Sequence, residues 1–138
     1  MSVRQTYKII EKIATGGMAE VYRARAIAMK GFEKQVAIKR VLPSLTRNRR
    51  FVSMFLDEAR LSMVLNHPNI VQVFDVGRSG GTYFLVMEYV PGLDLKSLNE
   101  LLVAKGQSLP VPLVGFIMTE VLKALAYAHE LKNDQNEY

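Results

Sequence analysis

The stretch Val36-Ala37-Ile38-Lys39 decides the fold, because three consecutive apolar residues lead directly into a charged one. An apolar run of this kind is typical of a strand buried within a sheet. Glu58 follows nineteen residues later, among the apolar residues of the next predicted segment. Removing one partner of a buried ion pair typically costs about 3–5 kcal/mol, because the remaining charge stays buried and uncompensated. We therefore expect the Lys39 ammonium group and the Glu58 carboxylate to pair.

The segment that carries Glu58 is predicted to be a helix over residues 48–66. Residues three or four positions apart lie on the same side of a helix. One predicted face therefore contains Phe51, Phe55, Glu58, Ser62 and Leu65. This arrangement places the glutamate on the side of the helix that should pack against a sheet.

Five segments predict strands, and we expect an α+β fold with a five-stranded antiparallel sheet and one packed helix. The strands are predicted at residues 7–13, 20–26, 35–42, 70–76 and 82–89. Gly16 and Gly17 lie between the first two segments, which indicates a hairpin with a glycine-containing connection. Turns are also predicted at residues 29–33 and 77–81.

The chain divides into three parts by pattern. Residues 7–90 hold the strands and their helix, whereas residues 91–131 hold two further predicted helices, at 94–105 and 112–131. Residues 132–138 are mostly polar, and we expect this tail to be frayed.

Composition excludes several classes of protein. With 138 residues, of which 49% are hydrophobic and 22% charged, the chain is expected to be globular. It contains no cysteine, which excludes disulfides and thiolate metal sites. The net charge of +5 suits a polyanion such as ATP or nucleic acid, and equally suits solubility. We find no signal-peptide pattern and no apolar run approaching the length of a membrane span, so we expect a cytoplasmic chain without a membrane segment.

Four motifs in a fixed order resemble the small lobe of a eukaryotic-type protein kinase, in the version common among bacterial serine/threonine kinases. They are GGMAEVY at residues 16–22, VAIK at residues 36–39, the helical Glu58, and VMEY at residues 86–89. HPNIV at residues 67–71 is also familiar in that family. The resemblance covers about residues 7–130, and it implies ATP-dependent phosphorylation of serine or threonine in proteins by the complete enzyme.

The resemblance implies that the glycine turn folds over the ATP phosphates, with Ile13 and Gly17 among the nucleotide-binding residues. The three glycine positions of the family pattern are Ala14, Gly16 and Ala19 here, so two of them are alanine. Because alanine resists positive φ, we expect a stiffer turn rather than lost binding. By itself, the motif also fits an ordinary hairpin turn.

Lys39 and Glu58 are the catalytic residues that the resemblance implies. Lys39 would contact the α- and β-phosphates of ATP, and Glu58 would orient it. Val21 and Ala37 would enclose the adenine ring. Without the resemblance, the lysine could extend from a strand end to water, the glutamate could be an exposed helix charge, and the other two could be core residues.

At the adenine end, Met87 occupies the gatekeeper position of the family. The C=O of Glu88 and the N–H of Val90 would bind the adenine edge, and Asp94 would contact the ribose. Asp94 is also a candidate helix cap. Ser62 departs from the family, which usually has an apolar residue at that position.

The sequence contains neither the H-R-D nor the D-F-G motif, which supply the catalytic aspartate and the magnesium ligands of the family. ATP is therefore the expected cofactor, magnesium is expected only in the complete kinase, and this chain alone is expected to be inactive. The expected partners are a protein substrate and the missing large lobe. The resemblance makes residues 112–131 the central helix of that lobe, and their exposed apolar surface would favour self-association.

Two other functions remain open from the residues alone. The first is a nucleotide-binding or regulatory module without kinase activity. The second is a nucleic-acid-binding domain, suggested by RNRR at residues 47–50, but no aromatic side chains interleave with these arginines, so we expect no nucleic-acid partner. His67 and His129 are interpreted as structural, since two isolated histidines make a poor metal site.

Overall fold

The structure is a computed structural model that describes residues 6–27 and 33–131. In chain order its elements are β1 (Thr6–Thr15), β2 (Ala19–Ile27), β3 (Glu33–Val41), α1 (Arg49–Val64), β4 (Val73–Ser79), β5 (Thr82–Glu88), α2 (Leu95–Ala104) and α3 (Val111–Glu130), with a 3₁₀ turn at Pro43–Leu45. Apart from Glu33, which begins β3, the turn predicted at residues 29–33 lies outside the described residues. The predicted tail at 132–138 lies outside them as well.

The described residues form two compact units. The first contains the residues up to Asn66 together with Val71–Tyr89, and therefore holds all five strands and α1. The second contains His67–Ile70 and the residues from Val90 onward, and therefore holds α2 and α3.

The sheet of the first unit is antiparallel, with the strand order β1-β2-β3-β5-β4. This confirms the predicted five-stranded sheet with one helix inserted after the third strand. The predicted bounds of β4 and of the turn after it were wrong. Residues 77–79 continue β4, and only Gly80 and Gly81 form the turn, with φ of 56° and 79°. Two consecutive positive φ values suit the tight hairpin turns that favour glycine.

Strand β3 is buried on both faces of the sheet. Val36 and Ile38 belong to one core cluster, whereas Val41 packs with Phe55 of α1 in the other. Because successive side chains of a strand point to opposite faces, Lys39 shares the face of Val41, which α1 covers. This double burial explains the uninterrupted apolar run that precedes the lysine.

Helix α1 begins after Asn48, whose side-chain oxygen accepts hydrogen bonds from the N–H groups of Arg50 and Phe51 at 3.1 and 3.4 Å. This cap satisfies two of the donors that a helix start leaves without intrahelical partners. Phe55 and Ala59 are the residues that α1 buries. The buried face of α1 is therefore rotated relative to the face predicted from the sequence, and Glu58 lies at the edge of the buried face.

In the second unit, residues 67–70 are attached to α3 by hydrogen bonds. The Asn69 side-chain amide donates to the backbone carbonyl of Glu120 at 3.0 Å and to its carboxylate at 2.7 Å. The ring nitrogen Nδ1 of His67 accepts from the Asn69 N–H at 3.0 Å, and its ring lies 5.2 Å from that of Tyr127. These contacts fit the structural role predicted for His67.

Helix α3 is long and apolar enough to cross a membrane by length and composition, so the prediction that no run approaches a span was wrong. That prediction counted uninterrupted apolar residues, and Glu120 and Lys123 interrupt the run. These two side chains pair with each other at 2.6 Å. The finding is weak support for a membrane segment, because the core helix of a soluble protein passes the same test.

On the sheet face opposite Lys39, Glu20 of β2 is surrounded by donors. Its carboxylate accepts from the Lys12 ammonium at 2.6 Å, the Tyr22 hydroxyl at 2.6 Å and the Arg40 guanidinium at 3.3 Å. These bonds, with Lys12 contributing most, lower the pKa of Glu20 from 4.5 to about 2. The carboxylate thus ties β1, β2 and β3 together.

We expect this cluster to make stability depend on pH in the acid range. A carboxylate with a lowered folded-state pKa stabilises the fold above its unfolded pKa, and this contribution is lost as the pH falls from about 4.5 towards 2. Glu20→Gln should therefore reduce the free energy of unfolding at pH 7 and flatten its decrease below pH 4.5, as measured by urea unfolding. Glu100→Gln, which removes an exposed carboxylate from α2, is the control for loss of one charge; an equal flattening in both variants would contradict the assignment.

Candidate nucleotide-binding site

The ion pair predicted from the sequence is present in the first unit. The Lys39 ammonium donates to the Glu58 carboxylate at 2.7 Å. The sequence predicted a dry environment for this pair, and that prediction was wrong, since the Lys39 and Glu58 side chains are 29% and 52% exposed. An exposed pair of this kind contributes about 0–1 kcal/mol to stability rather than the larger value of a buried one. The contact therefore serves to place the ammonium group more than to stabilise the fold.

Strand register brings three of the predicted nucleotide-binding residues to the same face as Lys39. In the strand pairing, the register partners of Lys39 are Val21 of β2 and Leu85 of β5, and the partner of Ala37 is Met87 of β5. Side chains at paired positions of an antiparallel sheet lie next to each other on one face. The face that α1 covers thus presents an apolar surface beside the charged end of the lysine.

The connection between β1 and β2 is a short turn attached to the end of β3. The Gly16 N–H donates to the Ala19 carbonyl at 2.8 Å, and the Leu42 N–H donates to the Met18 carbonyl at 3.1 Å. Neither Gly16 nor Gly17 has a positive φ, and a Cβ added at Gly17 would meet no atom within 4 Å. The backbone of this turn therefore does not itself require glycine.

The two alanines of the glycine pattern fit the observed turn without strain. Ala14 is part of β1 and pairs with Val21, and Ala19 is buried at the start of β2. Extended backbone of this kind does not need positive φ. Ile13 lies at a register shift of β1 and is 45% exposed, so the pairing with β2 does not assign it to the face that α1 covers.

Met87 and Glu88 of the predicted site lie at the end of β5. Met87 packs against the core cluster beneath α1. The Glu88 N–H donates to the Gln72 carbonyl at 2.8 Å, and the Glu88 carboxylate accepts from the Gln72 N–H at 3.3 Å. Both contacts fix the end of β5 against the segment that precedes β4.

Val90 and Asp94 belong to the second unit, so the structure does not place them with the residues above. Val90 is 60% exposed. Asp94 caps α2, because its carboxylate accepts from the Ser97 N–H at 2.8 Å and from the Ser97 hydroxyl at 2.7 Å. These bonds, the backbone one first, lower the pKa of Asp94. The capping role that the sequence left open is the role observed.

A cavity of about 220 Å³ lies between the glycine turn, β3 and α1. Its walls are Met18, Ala19, Lys39, Val41, Phe51, Met54, Phe55 and Glu58. Phe51 and Phe55 were predicted on the sheet-facing side of the helix, but the sequence pattern does not connect them with this cavity. Nothing in the sequence predicts that Met54 and Met18 line a cavity, since a methionine on a helix or in a turn indicates no particular contact.

No group of three or more His, Cys, Asp or Glu side chains within residues 6–27 and 33–131 is placed to hold a metal ion. The described residues of this site therefore offer no such ligand set for magnesium.

Comparison with known proteins points to one family. The protein kinase domain matches residues 7–133. The chain is 42% identical over 131 residues to the tyrosine-protein kinase MasK of Myxococcus xanthus, covering 95% of this chain and 20% of MasK. It is 37% identical over 124 residues to the serine/threonine-protein kinase PrkC of Bacillus subtilis, covering 90% of this chain and 18% of PrkC. The chain therefore spans about a fifth of the length of these curated relatives.

Solved structures give the same result. The kinase domain of Mycobacterium tuberculosis PknI, in the form of a point mutant, is 29% identical and superposes with a TM-score of 0.73. The alignment covers 94% of this chain and 50% of the PknI kinase domain. Since the family match extends over residues 7–133, the chain belongs to the protein kinase domain family.

Proposed function

We propose that this chain binds ATP on the sheet face that α1 covers, and that it is the nucleotide-binding part of a cytoplasmic kinase that phosphorylates serine or threonine in proteins. The observation that carries the proposal is the 2.7 Å contact between Lys39 and Glu58 on the face shared with Val21 and Ala37. A cation held in place suits the phosphates of ATP, and the apolar surface beside it suits the adenine ring.

Each residue has a distinct task in this proposal. The Lys39 ammonium has three donors, and Glu58 occupies one of them, which leaves two for the α- and β-phosphate oxygens. The small residues at 16 and 17 let the backbone approach those oxygens. Val21 and Ala37 would contact the adenine ring, with Met87 behind it. Glu88 and Val90 would bind the adenine edge, and Asp94 would contact the ribose.

Phosphoryl transfer needs residues that are not in this sequence. The aspartate that accepts the hydroxyl proton and the magnesium ligands of the family have no counterpart here. The proposed contribution of this chain is to bind ATP and to position its phosphates. The preference for serine and threonine is supported by the resemblance and by the name of PrkC, whereas MasK is named as a tyrosine kinase.

A second candidate is a nucleotide-binding or regulatory module without kinase activity, because the residues gathered around the Lys39–Glu58 pair would suit nucleotide binding without phosphoryl transfer. Both candidates predict ATP binding by this chain. They differ in whether the full-length protein phosphorylates itself, and whether Lys39→Met abolishes that activity. Phosphate incorporation lost in this variant supports the kinase, and its absence in the unmodified protein supports the module.

The proposed site is tested by titrating the chain with a fluorescent ATP analogue. We expect saturation with a dissociation constant below roughly 1 mM, or about −4 kcal/mol. Lys39→Met should weaken binding by at least about tenfold, because hydrogen bonds to charged groups contribute ~1.5–3 kcal/mol. The same substitution should change the free energy of unfolding by no more than about 1 kcal/mol, since the pair is exposed.

Lys34→Met is the matched control for this experiment. Lys34 lies on the same strand but on the opposite face, where its ammonium sits 4.0 Å from the centre of the Phe74 ring. The control should retain the affinity of the unmodified chain. Equal binding by both variants would contradict the site, and no saturation by the unmodified chain would remove it.

The substitution Gly17→Ala tests whether the phosphates approach the turn closely, because it should change ATP affinity without changing the stability of the fold. An added Cβ meets nothing within 4 Å, so we expect unchanged thermal stability. ATP affinity should fall, because the methyl group occupies space that the phosphates need. Gly80→Ala is the opposite control: its φ of 56° should make the substitution destabilising by about 1 kcal/mol without affecting nucleotide affinity. Unchanged ATP affinity in Gly17→Ala would rule out close approach of the turn.

We further propose that the apolar surface of α3 causes this chain to self-associate when no large lobe covers it. Phe116 and Leu122 are 62% and 60% exposed on this helix. Light scattering should give a mass above that of one chain, and the double variant Phe116→Glu, Leu122→Glu should lower it. Leu61→Glu, at a residue of α1 that is 68% exposed, should leave the mass unchanged. A monodisperse monomer for the unmodified chain would contradict the proposal.

A further inference from the structure

The cavity between the glycine turn and α1 is separate from the surface assigned to adenine. Val21, Ala37 and Met87 are not among its walls, whereas Lys39, Glu58 and the glycine-turn residues Met18 and Ala19, at the proposed phosphate end of the nucleotide site, do line it. The cavity therefore lies on the α1 side of the ion pair. Nucleotide binding, with the phosphates at Lys39 and the glycine turn, gives no function to the part of the cavity that Phe51, Met54 and Phe55 line.

The walls of the cavity combine aromatic rings with one charged end. Phe51 and Phe55 come from successive turns of α1, and Val41 closes the side formed by β3. The Lys39 ammonium and the Glu58 carboxylate form the polar end. An apolar pocket with one or two convergent polar groups is the usual composition of a small-molecule site.

Two methionines stand where the cavity reaches the surface. Met18 of the glycine turn and Met54 of α1 are 52% and 54% exposed while lining the cavity. Their unbranched, polarisable side chains adapt to ligands of different shape and make favourable contacts with aromatic rings. They can therefore admit a ligand and then cover it.

We propose that this cavity is a binding site for a small aromatic molecule that carries one hydroxyl group. Its volume of about 220 Å³ is ample, since an engineered apolar cavity of about 150 Å³ in another protein binds benzene. The ring packs between Phe51 and Phe55. The hydroxyl group donates to the Glu58 carboxylate and can accept from the Lys39 ammonium.

A ligand in this position contacts the glycine turn through Met18 and Ala19 and α1 through Phe51 and Phe55. It therefore bridges two elements that are otherwise connected through the sheet. A molecule that fills the space between them holds α1, and with it Glu58, at its observed distance from Lys39.

The test uses 2-naphthol as the probe and the full 138-residue chain, labelled with ¹³C at the methionine methyl groups. The probe is fluorescent, so its affinity is measured directly, and the methyl signals report where it binds. We expect saturable shifts at Met18 and Met54, and no comparable shift at Met63, which lies on α1 but does not line the cavity. Equal shifts at Met63 and Met18, or shifts that do not saturate, overturn the proposal.

Met54→Trp fills the opening of the cavity and should weaken 2-naphthol binding by at least about tenfold. Met63→Trp makes the same change on the same helix, at a residue that is 42% exposed, and should retain the affinity of the unmodified chain. Equal affinity of the two variants contradicts the assigned site. Should Met54→Trp not fold, the methyl shifts of the unmodified chain decide the question without a variant.

Discussion

The register of β3 between its two neighbours is the constraint on which the site depends. Val36 and Ile38 must face one core cluster while Val41 faces the other, and this leaves Lys39 on the side of α1. A slip of one residue in pairing would move every side chain of the strand to the opposite face. Such a slip would expose apolar residues and separate the lysine from Glu58 at the same time. Burial of the core thus fixes the position of a charge that contributes little to stability.

The ion pair shows that a contact can fix the position of a side chain while contributing little to the stability of the fold. Lys39 and Glu58 are in close contact, yet both side chains reach solvent, so their attraction is screened. The pair forms although the site is not dry, so burial is not the reason for the contact. The apolar neighbours of Lys39 in the sequence, Val36 and Ile38, belong to the core cluster on the other face of the sheet, and the buried face of the helix is centred on Phe55 and Ala59.

Hydrophobic pattern was sufficient to predict the five strands and α1, because periodicity reports burial directly. The grouping of Val21 and Ala37 with Lys39 came from the resemblance to protein kinases. It could not place the features that depend on tertiary contacts. The Glu20 cluster joins residues from three strands, and the cavity lies between a turn and a helix that are distant in sequence. Pattern also ends β4 too early, because it predicts Gly77 in the turn, whereas pairing with Phe84 places that residue in the strand.

Helix α1 is the element whose position its own sequence determines least. Asn48 caps it, but no acidic residue lies in its first turn, where Arg49 and Arg50 oppose the helix dipole. It buries only Phe55 and Ala59 among the described residues, so few apolar contacts hold it on the sheet. Since Glu58 moves with this helix, the distance between the carboxylate and Lys39 is sensitive to anything that packs beside α1. The few buried residues of α1 therefore fix the position of Glu58 less firmly than the strand pairing fixes that of Lys39.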